Sequence, residues 1–309
     1  MLEGPVPEGP VPESPVPESP VPGGRLTVRK TYKLYIGGAF PRSESGRSYL
    51  VCTPAGQALA NAALASRKDL RDAVVAARQA QPGWARATAY LRGQVLYRVA
   101  EMMEGRHAQF VEALVAGEGL TAVAASAVVD GSVDRLVWYA GWSDKFAQVA
   151  GSSNPVAGPY FNFSVPEPTG VVGVLAPQSS SLLGLVSVIA PVVTTGNAAV
   201  VIASEACPLP ALELAEVLAT SDLPDGVVNI LTGRTSELAP VLAAHRDVDA
   251  LDLAGTPEAL EAELEAAAAD NVKRALRRQP AAPDWAAGPS PARMLFFTEI
   301  KTVWHPIGV

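Results

Sequence analysis

The sequence predicts an α/β protein built on a doubly wound parallel sheet of the Rossmann type, and three observations carry that expectation. Between residues 168 and 252, short runs rich in Val, Ile and Leu alternate with helical stretches, the order that crossover helices on a parallel sheet demand. The first block, Pro168-Thr169-Gly170-Val171-Val172-Gly173-Val174-Leu175-Ala176-Pro177, reads as a strand and loop opening into a helix. Finally, 309 residues that are 49% hydrophobic and 18% charged can bury a substantial core.

Taken in order, residues 4–23 hold four copies of a five-residue repeat, GPVPE, GPVPE, SPVPE and SPVPG. Two prolines in five residues remove backbone donors and favour polyproline II, so residues 1–26 are expected to form a disordered, solvated tail. Docking of that tail to a proline-reading domain stays open. A nucleotide-fold domain is expected over residues 27–278. Residues 34–38 and 49–52 read as short strands, and 53–57 as a turn. Ser66 looks like the N-cap of a helix with Leu70, Val74 and Ala77 on one face, stopped by Pro82-Gly83 before Trp84. Helices are expected over about 87–106 and 122–146.

Residues 147–165 change character, and Tyr160 to Val165 alternate as a strand with two different faces would. The later blocks are Ala190-Pro191-Val192-Val193-Thr194-Thr195-Gly196-Asn197, Ser204-Glu205, and Leu223-Pro224-Asp225-Gly226-Val227-Val228-Asn229-Ile230-Leu231-Thr232-Gly233, with a helix over 211–219. From Pro257 an Ala- and Glu-rich helix is expected to end near Arg278. Residues 279–293 read as a Pro/Ala linker able to reach across a subunit boundary. Residues 294–309 contain a strand, from Leu295 to Trp304, whose two faces both carry large apolar groups.

Several functions are excluded by composition. A net charge of −7 without a basic stripe argues against nucleic acid. The longest apolar stretch, 170–203, is broken by prolines, serines and Gly196-Asn197, so no membrane span is expected. Cys52 and Cys207 alone cannot build a disulfide framework, which points to a reducing, cytoplasmic setting. The three histidines lack metal-ligand spacing, so no metal site is expected.

The four nucleotide-fold blocks, in this order, resemble the cofactor domain of the NAD(P)-dependent aldehyde dehydrogenase superfamily. The strand from Leu295 to Trp304 resembles that family's C-terminal oligomerisation strand. The chain also resembles the truncated, nucleophile-free second half of family-16 aldehyde dehydrogenases. The resemblance implies a cofactor domain with a small β oligomerisation arm and no catalytic domain. Family chemistry needs a thiolate nucleophile, a carboxylate base and an oxyanion-stabilising amide. No cysteine follows Cys207. After Asn271-Val272-Lys273-Arg274 the base position holds Arg278, and after Pro177 the oxyanion position holds Ser179. No catalytic residue is therefore expected, and Cys207 is read as structural.

For the cofactor NAD, the resemblance implies Ser204, Glu205, Gly255 and Thr256 as binding residues. Ile202 stands at the ribose-binding lysine and Leu260 at a close-approach glycine, so binding is expected to be weak or absent. Thr256 capping a helix that starts at Pro257 is the plainer alternative. The implied role is a non-catalytic subunit that joins a full-length aldehyde dehydrogenase subunit in a hetero-oligomer through the strand from Leu295 to Trp304. A divergent NAD(P)-dependent aldehyde oxidoreductase and a standalone nucleotide sensor remain alternatives.

Overall fold

The structure, a computed structural model, describes residues 28–281 and 283–308, so the proline-rich tail of 1–26 lies outside the described residues. Three sheets organise the chain. The first joins β1 (Thr31–Tyr32), β2 (Ser48–Cys52) and β3 (Ala58–Ala63) in the order β1-β3-β2. Residues 34–38, expected as a strand, instead make two isolated antiparallel bridges, Tyr35 to Ile230 and Ile36 to Ala39, around a tight turn. Tyr35 exchanges backbone hydrogen bonds with Ile230 at 3.0 and 2.8 Å, while Gly37 and Gly38 turn with positive φ. β3 escaped the sequence reading because Ala and Asn carry little strand preference; β2 and β1 on its two sides supply the ladder.

Four helices follow: α1 (Arg67–Arg86), α2 (Ala89–Glu104), α3 (His107–Glu118) and α4 (Ala122–Trp142). Ser66 caps α1 as expected, in a reciprocal capping box with Asp69. Pro82 does not stop the helix. It removes one backbone hydrogen bond near the C-terminal end, and Trp84 beyond it anchors the last turn, buried with its indole N–H donating to Val193 O at 2.8 Å. The short α5 (Phe146–Ala150) leads into β4 (Ser152–Asn154) and β5 (Tyr160–Pro168).

The doubly wound core appears as predicted through β9: β6 (Val171–Leu175), α6 (Leu183–Thr194), β7 (Ala198–Ile202), α7 (Leu209–Leu218), β8 (Val228–Leu231), α8 (Thr235–Ala244) and β9 (Ala250–Asp252), after which come α9 (Glu258–Ala269) and β10 (Arg274–Leu276). All five strands are parallel, in the order β10-β9-β6-β7-β8. Every residue of β6, β7, β8 and β9 is buried, as a sheet covered on both faces requires. Alternate residues of β7 divide between two cores: Ala199 and Val201 pack toward α2, α4, α6 and α7, whereas Val200 and Ile202 pack toward α1, α8 and α9.

The helix expected to run to Arg278 ends at Ala269. Val272 takes a positive φ of 52°, which no helix continues through, and β10 then adds a fifth strand beside β9. The C-terminal region differs from expectation more strongly. Residues 292–296 form a helical turn, α10 (Ala292–Phe296), and the last strand, β11 (Thr298–Pro306), starts three residues later than read. The linker does not leave the domain. Arg135, 8% exposed, donates from Nη2 to Trp285 O and Ala287 O, both at 2.8 Å, and from Nη1 to Ser187 Oγ at 2.9 Å. Arg293 pairs with the fully buried Asp252, and Met294 and Phe297 are fully buried. Burying two such side chains stabilises by about 2–3 kcal/mol each.

β11 pairs antiparallel with β5 over nine residues, and β4 lies on β5's other side, so the third sheet has the order β11-β5-β4. The Asn197 side chain sits at its root. Its Oδ1 accepts from Gly170 N at 2.7 Å and its Nδ2 donates to Phe297 O at 2.9 Å.

Candidate functional site

Parallel sheets offer their ligand sites outside the carboxyl ends of the strands, where loops from several strands converge. Here a cleft of about 1110 Å³ opens at the carboxyl ends of β6, β7 and β8. Its wall is built by Gln178 and Ser179 after β6, Glu205 to Cys207 after β7, and Arg234 to Ser236 at the start of α8. Tyr49 and Pro54 close it from the β2 side.

Gln178 binds the two central loops together. Its Oε1 accepts from Glu205 N at 2.9 Å, its Nε2 donates to Ala176 O at 3.0 Å, and its carbonyl accepts from Ser204 Oγ at 3.0 Å. Ser204, 2% exposed, also accepts from Cys207 N at 3.2 Å, so its hydroxyl is used twice within the chain. Glu205 is likewise engaged. One oxygen meets Arg234 Nη1 at 2.5 Å and the other accepts from Thr235 N at 3.1 Å. It thereby caps α8, which has no side-chain cap of its own. The Arg234 guanidinium lies 5.7 Å from the Tyr49 ring centroid. Burial first, and the Glu205 charge second, push the Tyr49 phenol up.

The other two cofactor candidates lie on the β9 loop. Gly255 donates from its backbone to Leu175 O at 2.9 Å, and a Cβ there would sit 1.8 Å from Ala176 O. Its glycine is thus required by the packing of the β6 and β9 loops, with no nucleotide invoked. Thr256 is 4% exposed, and its Oγ1 has no hydrogen-bond partner. The expected cap fails: the residue before α9 is Pro257, and no side chain caps that helix. Of the four, Glu205 faces the cleft, Ser204 is buried behind it, and the cleft reaches the β9 loop only at Pro257.

Ile202 is fully buried in the cluster containing Leu231, Leu238 and Leu264, and Leu260 packs against the same cluster. Apolar side chains fill that face of the strand end. At the positions where the resemblance puts the catalytic groups, Arg278 is a cation held against α9 by Glu261 at 3.2 Å and Glu258 at 3.8 Å. Ser179 is exposed at the cleft edge.

Cys207 lies just before α7, 4% exposed, with Sγ 3.4 Å from Ser181 Oγ. The one proton of that hydroxyl is taken by Glu118, 2.5 Å away. Burial pushes the thiol up to about 11, and the Glu118 charge adds to the shift against the opposing Ser181 contact. At neutral pH it is a buried thiol, not a nucleophile. Among the described residues no group of His, Cys, Asp and Glu could hold a metal, and no helix is long and apolar enough to cross a membrane. The buried Asp252–Arg293 pair and the Gln178 clasp escaped sequence reading; no local pattern announces a partner 41 residues away.

Comparison with known proteins agrees with this fold. The aldehyde dehydrogenase family model matches residues 40–278. Over 250 residues the chain is 34% identical to retinal dehydrogenase 2 of Mus musculus, covering 79% of this chain and 48% of that protein. Over 259 residues it is 33% identical to cytosolic 10-formyltetrahydrofolate dehydrogenase of the same species, covering 81% of this chain and 28% of the other. The chain therefore spans half or less of these relatives' lengths. Among solved structures, the NAD+ complex of an aldehyde dehydrogenase from Bacillus cereus superposes with a TM-score of 0.75 at 26% identity, over 80% of this chain and 50% of that one. HpcC from Thermus thermophilus gives 0.74 at 30%, over 80% and 47%. The matched span covers most of the chain and the architecture follows it: this protein belongs to the aldehyde dehydrogenase family and carries that family's NAD-binding fold.

Proposed function

We propose that this chain is a non-catalytic aldehyde dehydrogenase family subunit that assembles with an active, full-length member. The observation that carries the reading is Arg278, clamped by Glu261 and Glu258 at the position where the resemblance puts the catalytic base. It is supported by Cys207, whose buried thiol is held protonated, and by Ser179 at the oxyanion position. The sequence resemblance to the nucleophile-free half of family-16 enzymes is consistent with the same role.

NAD binds weakly or not at all in this reading. Ile202 is buried where the ribose lysine would stand, and Glu205 is committed to Arg234 and Thr235. Losing one charged hydrogen bond weakens affinity by about 10- to 100-fold.

Assembly runs through β11. That strand is the edge of its sheet, with Ile300 52% and Trp304 58% exposed on one face, and it can add to a neighbour's sheet. The test is to assay the isolated chain with several aldehydes and NAD or NADP, then to capture it with a full-length aldehyde dehydrogenase from its host. No turnover alone and co-purification with the active enzyme are expected. Turnover abolished by Cys207→Ala would overturn the reading.

A further inference from the structure

A second surface, away from the cleft and the arm, has the form of a peptide groove. Helices α2 and α4 approach so closely at Gly93 that a Cβ there would lie 2.9 Å from Ala140 O. Above this contact runs a depression of about 560 Å³, floored by Gly93, Gln94, Ala140 and Gly141. Tyr90 and Tyr97 stand along it, 66% and 52% exposed. Exposed tyrosines in register over a small-residue floor present flat apolar faces with a hydroxyl at the tip.

Seven residues separate the two tyrosines, so they share one face of α2 about 10.5 Å apart along its axis. In polyproline II, residues three apart share an edge and are about 9.3 Å apart. The N-terminal repeats contain that spacing three times: Pro7 with Pro10, Pro12 with Pro15, and Pro17 with Pro20. Aromatic-lined grooves read such proline pairs.

The position of the chain's first described residues makes the match reachable. Lys30 Nζ is 3.3 Å from Glu216, and Arg106, just beyond the end of α2, is 3.1 Å from the other oxygen of the same carboxylate. The chain therefore arrives beside the C-terminal end of α2. Along the helix, Tyr97 is nine residues from Arg106, about 13.5 Å. Pro20 precedes Lys30 by ten residues, which span about 31 Å in polyproline II. Length is ample, and the tail would run from the C-terminal toward the N-terminal end of α2.

We propose that the groove between α2 and α4 holds this chain's own proline-rich repeats, with the prolines of one Pro-x-x-Pro unit against Tyr97 and Tyr90. Arg98 and Lys145 stand at the rim for the glutamate inside each Pro-x-x-Pro unit (Glu8, Glu13 or Glu18), although Glu101 and Asp144 already neutralise part of their charge. Only one unit fits at a time, so the remaining two stay available for exchange.

The test uses the full chain with Val16 replaced by the photo-reactive p-benzoylphenylalanine, irradiated and mapped by mass spectrometry after digestion. Cross-links within one chain to α2 or to the end of α4 are expected. The substitutions Tyr90→Ser and Tyr97→Ser together should lower their yield about tenfold, the worth of a lost aromatic contact. Both side chains are exposed, so the melting midpoint should stay put. If that variant nevertheless fails to fold, replacing Pro7, Pro10, Pro12, Pro15, Pro17 and Pro20 together by Ser, which removes all three units, decides alone, with the same expected loss. Cross-links scattered over the surface, formed between chains, or unchanged by either set of substitutions would overturn the proposal.

Discussion

Replacing Arg293 by Ala tests whether the C-terminal segment belongs to this domain's own core. Asp252 is fully buried at the carboxyl end of β9, and its carboxylate is met by Arg293 and by Ala254 N at 3.1 Å. Burial raises the Asp252 carboxyl, and Arg293 is the main influence opposing that rise. Removing the guanidinium strands a buried charge, which costs about 3–5 kcal/mol. The Arg293 guanidinium also lies over the Trp285 ring, 5.5 Å from its centroid, so a cation–π contact is lost as well. For a domain of this size the loss corresponds to a fall in Tm of roughly 6–20 °C.

The pH dependence of that variant carries a sign. With its folded value raised above the unfolded one, Asp252 favours folding below about pH 3.9 and opposes it as pH climbs to the folded value. The deficit of Arg293→Ala should therefore be largest at neutral pH and shrink on acidification. Adding Asp252→Asn should restore much of the loss, because an amide needs no counter-ion. Urea titrations of the three proteins at about pH 5 and about pH 7.5 measure this. A loss within about 0.5 kcal/mol, the ordinary surface value, would refute the reasoning and return residues 279–297 to the status of a free linker.

Lys273 is buried and its Nζ has no partner, and burial lowers its amine despite the opposing Asp249 charge. Lys273→Met should thus stabilise by about 1–3 kcal/mol at neutral pH, with the gain fading as pH rises to about 10.4 and the unfolded amine also loses its proton; thermal melts from about pH 7 to about pH 10.5 show it. Ile202→Lys, a restoration of the family lysine on sequence grounds alone, should instead destabilise by about 3 kcal/mol or more without tightening NAD, since Ile202 is fully buried among apolar side chains; calorimetry with NAD and a melt together decide. Trp304→Ser with Ile300→Thr should leave monomer stability within about 1 kcal/mol yet abolish co-purification with an active aldehyde dehydrogenase, because both residues are more than half exposed. Deletion of all of 294–309, by contrast, should unfold or strongly destabilise the chain, as Met294 and Phe297 lie in its core.

The parallel sheet was legible because its strands are apolar on both faces and its helices follow at regular intervals, so local composition and topology agree. Ser66 was legible for a similar reason: the capping box closes within four residues. The misreadings share one cause. Pro82 continues a helix because Trp84 finds a pocket and an acceptor on α6; Ala58–Ala63 is a strand because two neighbours flank it. Residues 274–276 form a strand because β9 is there to receive them. Each depends on contacts distant in sequence, which override weak local preference. At the cleft, the sequence named Glu205 and Ser204 but could not show that Arg234, Thr235 and Gln178 consume their hydrogen bonds.

The Asn197 amide ties together two points that lie 127 residues apart in the chain, the start of β6 and the turn just before β11, and Thr169 N reinforces it with a 3.3 Å bond to the same Phe297 oxygen. Both long strands of the arm are therefore clamped at their base, one on each side of a single side chain. A lever fixed at two points cannot swivel at its root; it can only bend along its length. In the proposed assembly, a load taken up by Trp304 or Ile300 would be delivered to the first residues of the central sheet, so a subunit gripping the arm would also grip the strand from which the cleft loops emerge.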